Sequence, residues 1–249
     1  MSDPSPLMLA ATADGIAQAS ALLGRGALVA FPTETVYGLG ADATDGCAVA
    51  AIYQAKGRPS FNPLIVHVPD VATAQKYAQW SDTAELLARA FWPGPLSLVV
   101  PLRDGHGLSS LVTAGLPTVA IRVPAHPAAV RLLRAFGGPV AAPSANPSGR
   151  ISPTTAAHVV AGLGDKVAAI VDDGPCTVGL ESTIVGLAGT PSLLRPGGIP
   201  SEALEAALDM KLAQPTSGKI SAPGQILSHY APAAPLRLNA TAAAPGEVF

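Results

Sequence analysis

Strand-like and helix-like segments alternate from about residue 13 to residue 209, which predicts an α/β domain built on a mixed sheet. Three observations carry that expectation. The apolar runs are strand-sized, such as 27–31 and 96–101, and none approaches the ~20 residues a membrane helix needs. Several helical stretches open on a cap-type residue followed by an acid. Apolar residues make up 49% of the 249, enough to bury a substantial core.

The first helix is expected over 14–23 and the first strand over 27–31. A second helix over 45–55 follows Thr44 as its cap, and Gly57 ends it. Residues 64–68 read as a strand in which His67 shares a face with Ile65. Helices over 70–78 and 82–90 come next, the second capped by Ser81. Strands over 96–100 and 119–123 precede a helix over 127–136; in the second strand, Arg122 shares a face with Ala120. A strand over 140–142, a helix over 154–161, strands over 167–171 and 183–187, and a helix over 202–208 capped by Ser201 complete the domain. No internal repeat is evident. Beyond Met210 the chain turns rich in Pro and Gly and loses its periodicity, so 1–209 is expected as the domain, 210–235 as a linker and 236–249 as a short tail.

Charge and composition narrow the function classes. Residues 1–209 carry 12 basic and 16 acidic side chains, a net −4, which disfavours a module devoted to nucleic-acid binding. Mean hydropathy is +0.37, but alanine and valine carry much of it. Cys47 and Cys176 are too few for a disulfide framework or a zinc site. The start Met1-Ser2-Asp3-Pro4 lacks the basic and apolar stretches of a secretory signal. A reduced cytoplasmic setting without membrane contact is the expectation.

The common nucleotide and metal signatures are missing: no G-x-x-x-x-G-K-[ST], G-x-G-x-x-G, H-E-x-x-H or G-x-S-x-G. Bound phosphates would have to meet side-chain cations and hydroxyls. Polar residues do gather at strand ends, where α/β sheets place their sites. The loop Pro32-Thr33-Glu34-Thr35 either caps a following helix or binds a small polar ligand, and the sequence weighs these evenly. Lys56-Gly57-Arg58-Pro59, with Asn62-Pro63 behind it, sets two cations on a short stiff turn that suits a polyphosphate; complementing a helix dipole is the plainer account of Lys56. His67 alone is more often a hydrogen-bonded core residue than a ligand contact. Arg122 in mid-strand demands an anion: a substrate carboxylate, or an internal acid such as Asp172 or Glu181. The run Ala142-Pro143-Ser144-Ala145-Asn146 through Ser152 has the vocabulary of surface turns, and Arg195 before Pro196-Gly197 has that of a surface arginine.

Taken in order, Phe31-Pro32-Thr33-Glu34-Thr35-Val36-Tyr37-Gly38, Lys56-Gly57-Arg58-Pro59, Asn62-Pro63-Leu64, Trp92-Pro93-Gly94-Pro95, Pro143-Ser144-Ala145-Asn146, Ser182-Thr183 and Leu194-Arg195-Pro196-Gly197 closely resemble the YrdC-type threonylcarbamoyl-AMP synthases. The resemblance covers roughly residues 10–208 and extends to Ser221-Ala222-Pro223-Gly224 and His229-Tyr230-Ala231-Pro232, which resemble the linker of the two-domain members. It implies a twisted sheet around a concave, cationic cavity, a catalytic domain over 1–209, a linker folding back over the site, and a tail that would begin a second domain. It further implies that ATP, L-threonine and bicarbonate (or carbon dioxide) give threonylcarbamoyl-AMP and pyrophosphate, with magnesium entering on the ATP. The product would pass to a tRNA threonylcarbamoyl transferase that modifies an adenosine next to the anticodon, with room for a weak tRNA contact.

Carried onto matching positions, Thr35, His67, Arg122, Ala142 and Ser182 would hold threonine. Lys56, Arg58, Asn62, Thr118, Ser144, Asn146, Ser152, Arg195 and Tyr230 would contact ATP, with His229 an alternative to Tyr230. Lys56, Arg58, Ser144 and Asn146 would be the catalytic minimum. Two rival readings stand beside this one: a carbamoyl-AMP-forming, carbamoyltransferase-type domain, and a non-catalytic module that binds double-stranded RNA.

Overall fold

The apolar runs become strands and their capped neighbours become helices in a computed structural model that describes residues 5–214, 222–223, 237 and 239–247. In chain order the elements are β1 (Leu7–Ala10), α1 (Ala13–Leu23), β2 (Val29–Phe31), β3 (Gly38–Asp42), α2 (Gly46–Lys56), β4 (Ile65–His67), α3 (Val71–Ala74), α4 (Asp82–Phe91), β5 (Leu96–Pro101), α5 (Ser110–Thr113), β6 (Thr118–Arg122), α6 (Pro127–Phe136), β7 (Val140–Ala141), α7 (Ala156–Leu163), β8 (Ala169–Asp172), β9 (Thr183–Gly186), β10 (Ser192–Arg195) and α8 (Ser201–Leu208). The strands join into one ten-stranded mixed sheet, in the order β1-β8-β2-β3-β7-β4-β6-β5-β9-β10. Among the described residues, four pairs are parallel (β1–β8, β2–β8, β4–β6, β5–β9) and five are antiparallel.

Alternation along the strands sorts the core into faces. Ala30, Val66, Leu98, Val100, Ile121, Ile170 and Val185 point to one face, where the buried residues of α2, α4, α7 and α8 cover them. On the other face, Val29, Phe31, Val140, Ala169 and Val171 meet α1 and α6. These two helices reach only the β1 half of that face. Over the other half, Ile65, Val99, Ala120 and Ile184 form a separate small cluster whose cover is Ala222, 0% exposed. Covering one face fully and the other by half leaves a concave surface on β4, β6, β5 and β9.

The sequence misjudged several local features for identifiable reasons. β3 is built from Gly38-Leu39-Gly40-Ala41-Asp42, a composition with little strand propensity. Gly40 is needed there, since a Cβ would lie 2.8 Å from the Phe31 ring and 3.0 Å from Val140 Cγ1. β1, β10 and the single turn α5 are also beyond the expected set. The helix expected over 70–78 shortens to α3, capped by Asp70. Asp45, not Thr44, caps α2, accepting from Cys47 N at 2.8 Å. Ser201 is the first residue of α8 and Pro200 precedes it, with no side-chain cap bond.

After α8 the chain turns onto the edge of β10: Leu193 N donates to Ala213 O at 3.0 Å, and Ala213 N to Pro191 O at 2.9 Å. Two further residues of the expected 210–235 linker are described, Ala222 and Pro223, and both are buried. Among the described residues no helix is long and apolar enough to cross a membrane.

Candidate functional site

The concave half-face holds a cleft walled by Thr35, Arg58, His67, Arg122, Ser182 and Arg195 among others. Strand register explains the convergence. β4 and β6 run parallel with His67 opposite Arg122, so both side chains leave the sheet at the same level and on the open side. Ser97 follows on the same face as Val99, and β9 continues the row with Ser182 just ahead of Thr183.

Arg122 is 3% exposed, and each of its three nitrogens donates one hydrogen bond to the protein. Its Nη2 pairs with Glu34 Oε1 at 2.5 Å, Nη1 donates to Thr35 Oγ1 at 2.9 Å, and Nε donates to Gly94 O at 3.2 Å. The internal acid is therefore Glu34, and neither acid named from the sequence. Asp172 instead accepts from the Tyr37 hydroxyl at 3.2 Å, while Glu181 pairs with Arg195. The loop 32–37 caps no helix, because β3 follows it directly and closes a hairpin in which Phe31 faces Gly38. Thr33 Oγ1 donates to Val36 O at 2.7 Å, so the 2.8 Å contact between the two threonine hydroxyls must use the proton of Thr35. Thr35 thus accepts from Arg122 and donates to Thr33, which leaves it one acceptor lone pair.

His67 is buried with its Nδ1 unpartnered and stacks edge-on to Phe31 at 6.2 Å. Burial, reinforced by the Arg122 charge, pulls its pKa down to about 3, so the ring is a neutral imidazole. On the facing wall Arg195, 6% exposed, pairs with Glu181, whose Oε1 accepts from Ser152 Oγ at 2.7 Å. Arg195 also donates from Nε and Nη2 to Ser182 O, at 3.0 and 2.8 Å, and from Nη2 to Ser182 Oγ at 3.0 Å. Ser182 Oγ in turn shares a 2.7 Å hydrogen bond with Ser97 Oγ. Gly197 permits this packing: a Cβ there would lie 2.3 Å from Glu181 O and 2.4 Å from Thr183 N.

The cationic turn divides its roles. Arg58 lines the cleft; its Nε and Nη2 donate to Asn62 O at 3.0 Å and Pro63 O at 2.7 Å, and no acid pairs with it among the described residues' ion pairs. Burial, partly offset by neighbouring Tyr53 and Glu181, takes its pKa down to about 10. Lys56 is 4% exposed and stands behind the wall, with Nζ donating to Ser144 O and Asn146 O while its own carbonyl accepts from Ser148 N at 2.8 Å. Burial and the Arg58 charge lower its pKa to about 7. The ammonium thereby fastens the loop after β7, which also bonds through Leu39 N to Pro143 O at 2.7 Å and Ala145 N to Tyr37 O at 2.8 Å.

Of the residues singled out from the sequence, Thr35, Arg58, His67, Arg122, Ala142, Ser144, Ser182 and Arg195 all line the one cleft. Asn146 and Ser152 border a groove outside the cleft, and Ser152 also lines a second groove that shares Glu181 with the cleft. Asn62 is buried, and both Asn62 Oδ1 and Asn146 Oδ1 lack partners. Thr118 does not gather with the rest: it lies four residues up β6 from Arg122, about 13 Å away on the same face. Extending the Ile65↔Ala120 register sets it beside Pro63, on the Arg58 flank. Tyr230 and His229 lie outside the described residues. Pro223 lines the cleft, which sets part of the expected linker against it. Reasoning from sequence missed Glu34 as the partner of Arg122, the Gly94 carbonyl and Ser97. Ser97 breaks an apolar strand just as His67 and Arg122 do, and the same test would have found it.

The chain is similar to known proteins along most of its length. The Sua5–YciO–YrdC family model, described as telomere recombination, matches residues 21–197. The threonylcarbamoyl-AMP synthase of Bacillus subtilis is 51% identical over 230 residues, covering 90% of this chain and 66% of the relative. That of Pyrococcus abyssi is 45% identical over 223 residues, covering 87% of this chain and 65% of the relative. A crystal structure of P. abyssi Sua5 complexed with L-threonine superposes with a TM-score of 0.87 at 42% identity, over 92% of this chain and 69% of that one. The chain spans just under two thirds of the length of these two curated relatives.

Proposed function

The chain belongs to the Sua5–YciO–YrdC family, and from that premise we propose that it makes L-threonylcarbamoyl-AMP from L-threonine, bicarbonate or carbon dioxide, and ATP, releasing pyrophosphate. The observation that carries the reading is the meeting of Arg58, Arg122 and Arg195 with hydroxyls and a neutral imidazole in one cleft. Such a set binds two kinds of anion side by side, an amino-acid carboxylate and a polyphosphate, and offers no activated nucleophile of its own.

The chemistry then needs positioning and charge neutralisation more than covalent help. The threonine amine adds to carbon dioxide and loses a proton, giving a carbamate. A carbamate oxygen attacks the α-phosphorus as the bond to the β-phosphate oxygen breaks, and pyrophosphate leaves. Arg122 holds the threonine carboxylate, and the lone pair of Thr35 receives a donor from the same ligand. The neutral ring of His67 lies against the amino acid with Ser182 and the Ala142 backbone. Arg58 and Arg195 meet the phosphates, and Lys56 keeps Ser144 and Asn146 in place for them. Thr118, Asn62, Ser152 and Tyr230 complete the expected nucleotide contacts.

Magnesium brought by the triphosphate fits the residues present. Among the described residues no group of three His, Cys, Asp or Glu forms a cage, whereas Asn62 Oδ1 and Asn146 Oδ1 are buried acceptors suited to metal-bound water. When bound, the ion would neutralise the departing pyrophosphate. Product transfer to a tRNA threonylcarbamoyl transferase in the cytoplasm, for an adenosine next to the anticodon, belongs to the same reading.

Mass spectrometry after mixing protein, ATP, magnesium, bicarbonate and threonine tests it directly. Threonylcarbamoyl-AMP should form and should vanish when any one reactant is left out. Turnover that needs carbamoyl phosphate in place of threonine would overturn the assignment. Serine should replace threonine at a cost of about 1–3 kcal/mol in kcat/KM, the worth of one methyl group in a pocket.

A further inference from the structure

Glu34 reaches the cleft only through its neighbours. Its carboxylate is held from two sides, by Arg122 Nη2 at 2.5 Å and by Ala125 N, which donates to Oε2 at 3.0 Å. Its carbonyl accepts from Val178 N at 2.8 Å and Thr177 Oγ1 at 3.4 Å, and Gly179 N donates to Thr35 O at 3.0 Å. The loop carrying Glu34 is thus laced to the segment that leads into Glu181 and Ser182. A carboxylate fixed in this way fixes the guanidinium it grips. Glu34, Thr35 and Gly94 together take three of the five N–H donors of Arg122, leaving one on each terminal nitrogen. Two such donors are what a carboxylate spans.

We propose that Glu34 is a positioning residue for amino-acid recognition: it sets the Arg122 guanidinium so that its two uncommitted N–H groups receive the α-carboxylate of the substrate. The inference rests on the threonine-binding reading above and deepens it. Without Glu34 the guanidinium keeps only a hydroxyl and one carbonyl to hold its orientation. Glu34 therefore acts on the carboxylate end of the ligand and leaves the nucleotide alone.

Calorimetric titration of the full chain with L-threonine, L-threoninamide and ATP separates these effects. The wild type should bind L-threonine at least about tenfold more tightly than the amide, which lacks the carboxylate. Glu34→Asp keeps the charge but falls one methylene short. It should weaken L-threonine by about tenfold or more while leaving L-threoninamide and ATP within about twofold. Glu34→Gln, checked for folding by its thermal melt, should show the same pattern. Unchanged L-threonine binding in Glu34→Asp overturns the proposal. So does a parallel loss of all three ligands, or a failure of both variants to fold, since either marks Glu34 as scaffold. A folded wild type that binds ATP but no L-threonine sinks the amino-acid reading itself, and the role of Glu34 with it.

Discussion

Arg58 has its guanidinium on two backbone carbonyls, close to Lys56 and with no carboxylate paired to it among the described residues. A cation so placed awaits an external anion. Arg58→Ala should lower turnover of ATP to pyrophosphate at least about a hundredfold, the scale of losing one preorganised charge contact. The protein should still fold, with its thermal midpoint lower by about 10 °C or less, because the two lost bonds contribute about 1 kcal/mol each. Near-normal turnover would remove Arg58 from the site. His67 makes a different prediction. Its pKa falls from 6.5 to about 3 on folding, so the unfolded chain takes up the proton first as pH drops. The stability that depends on its neutral form is complete above pH 6.5 and is lost as pH falls from 6.5 towards 3. The slope reaches about 1.4 kcal/mol per pH unit. Denaturant midpoints at pH 7 and 4.5 should converge in His67→Gln and diverge in the wild type.

Single elements show how the scaffold holds the chemistry. The last residue of α2 fastens the loop after β7 with an ammonium on two carbonyls, so a helix end and a strand end move as one body. Lys56→Met should lower amide-exchange protection at Ala145 and Asn146 by about tenfold or more, as expected when a charge-assisted clamp opens locally. Unchanged protection would mean that the ammonium serves the phosphates directly. The sequence disclosed long amphipathic helices well: α6 occupies the span expected for it, and α1 and α4 differ by a residue at one end. It hid β3 because Gly38 and Gly40 are there for close packing, which no propensity records. Polar breaks in apolar strands disclosed Arg122 and His67. The partner of Arg122 stayed hidden because Glu34 lies 88 residues away in sequence, and only the sheet order brings β2 and β6 to one cleft.

At the scale of the whole molecule, the half-covered sheet explains why the site lies where it does. Helices seal one face and the β1 half of the other, and over the remaining half the described part of the chain beyond α8 sets Ala222 and Pro223. Ala222 fits completely against Ile65, Val99, Ala120 and Ile184, with Pro223 at the cleft beside it. Ala222→Asp sets a charge in that apolar seat, at an unfavourable ~1–3 kcal/mol or more. It should speed proteolytic cleavage near residue 222 several-fold while moving the thermal midpoint of the domain by only a few degrees.

The two arginine–glutamate pairs have a consequence for the empty protein. A hollow with bare guanidinium groups would scavenge sulfate, phosphate and stray carboxylates from its surroundings and stay clogged with them. Here Arg122 and Arg195 each carry a resident acid, so a lone small anion finds little net attraction at either, and among the described residues Arg58 is the cleft arginine without one. Only a visitor making several contacts at once displaces those residents, and the Arg122 end of the vestibule stays clear until its proper guest arrives.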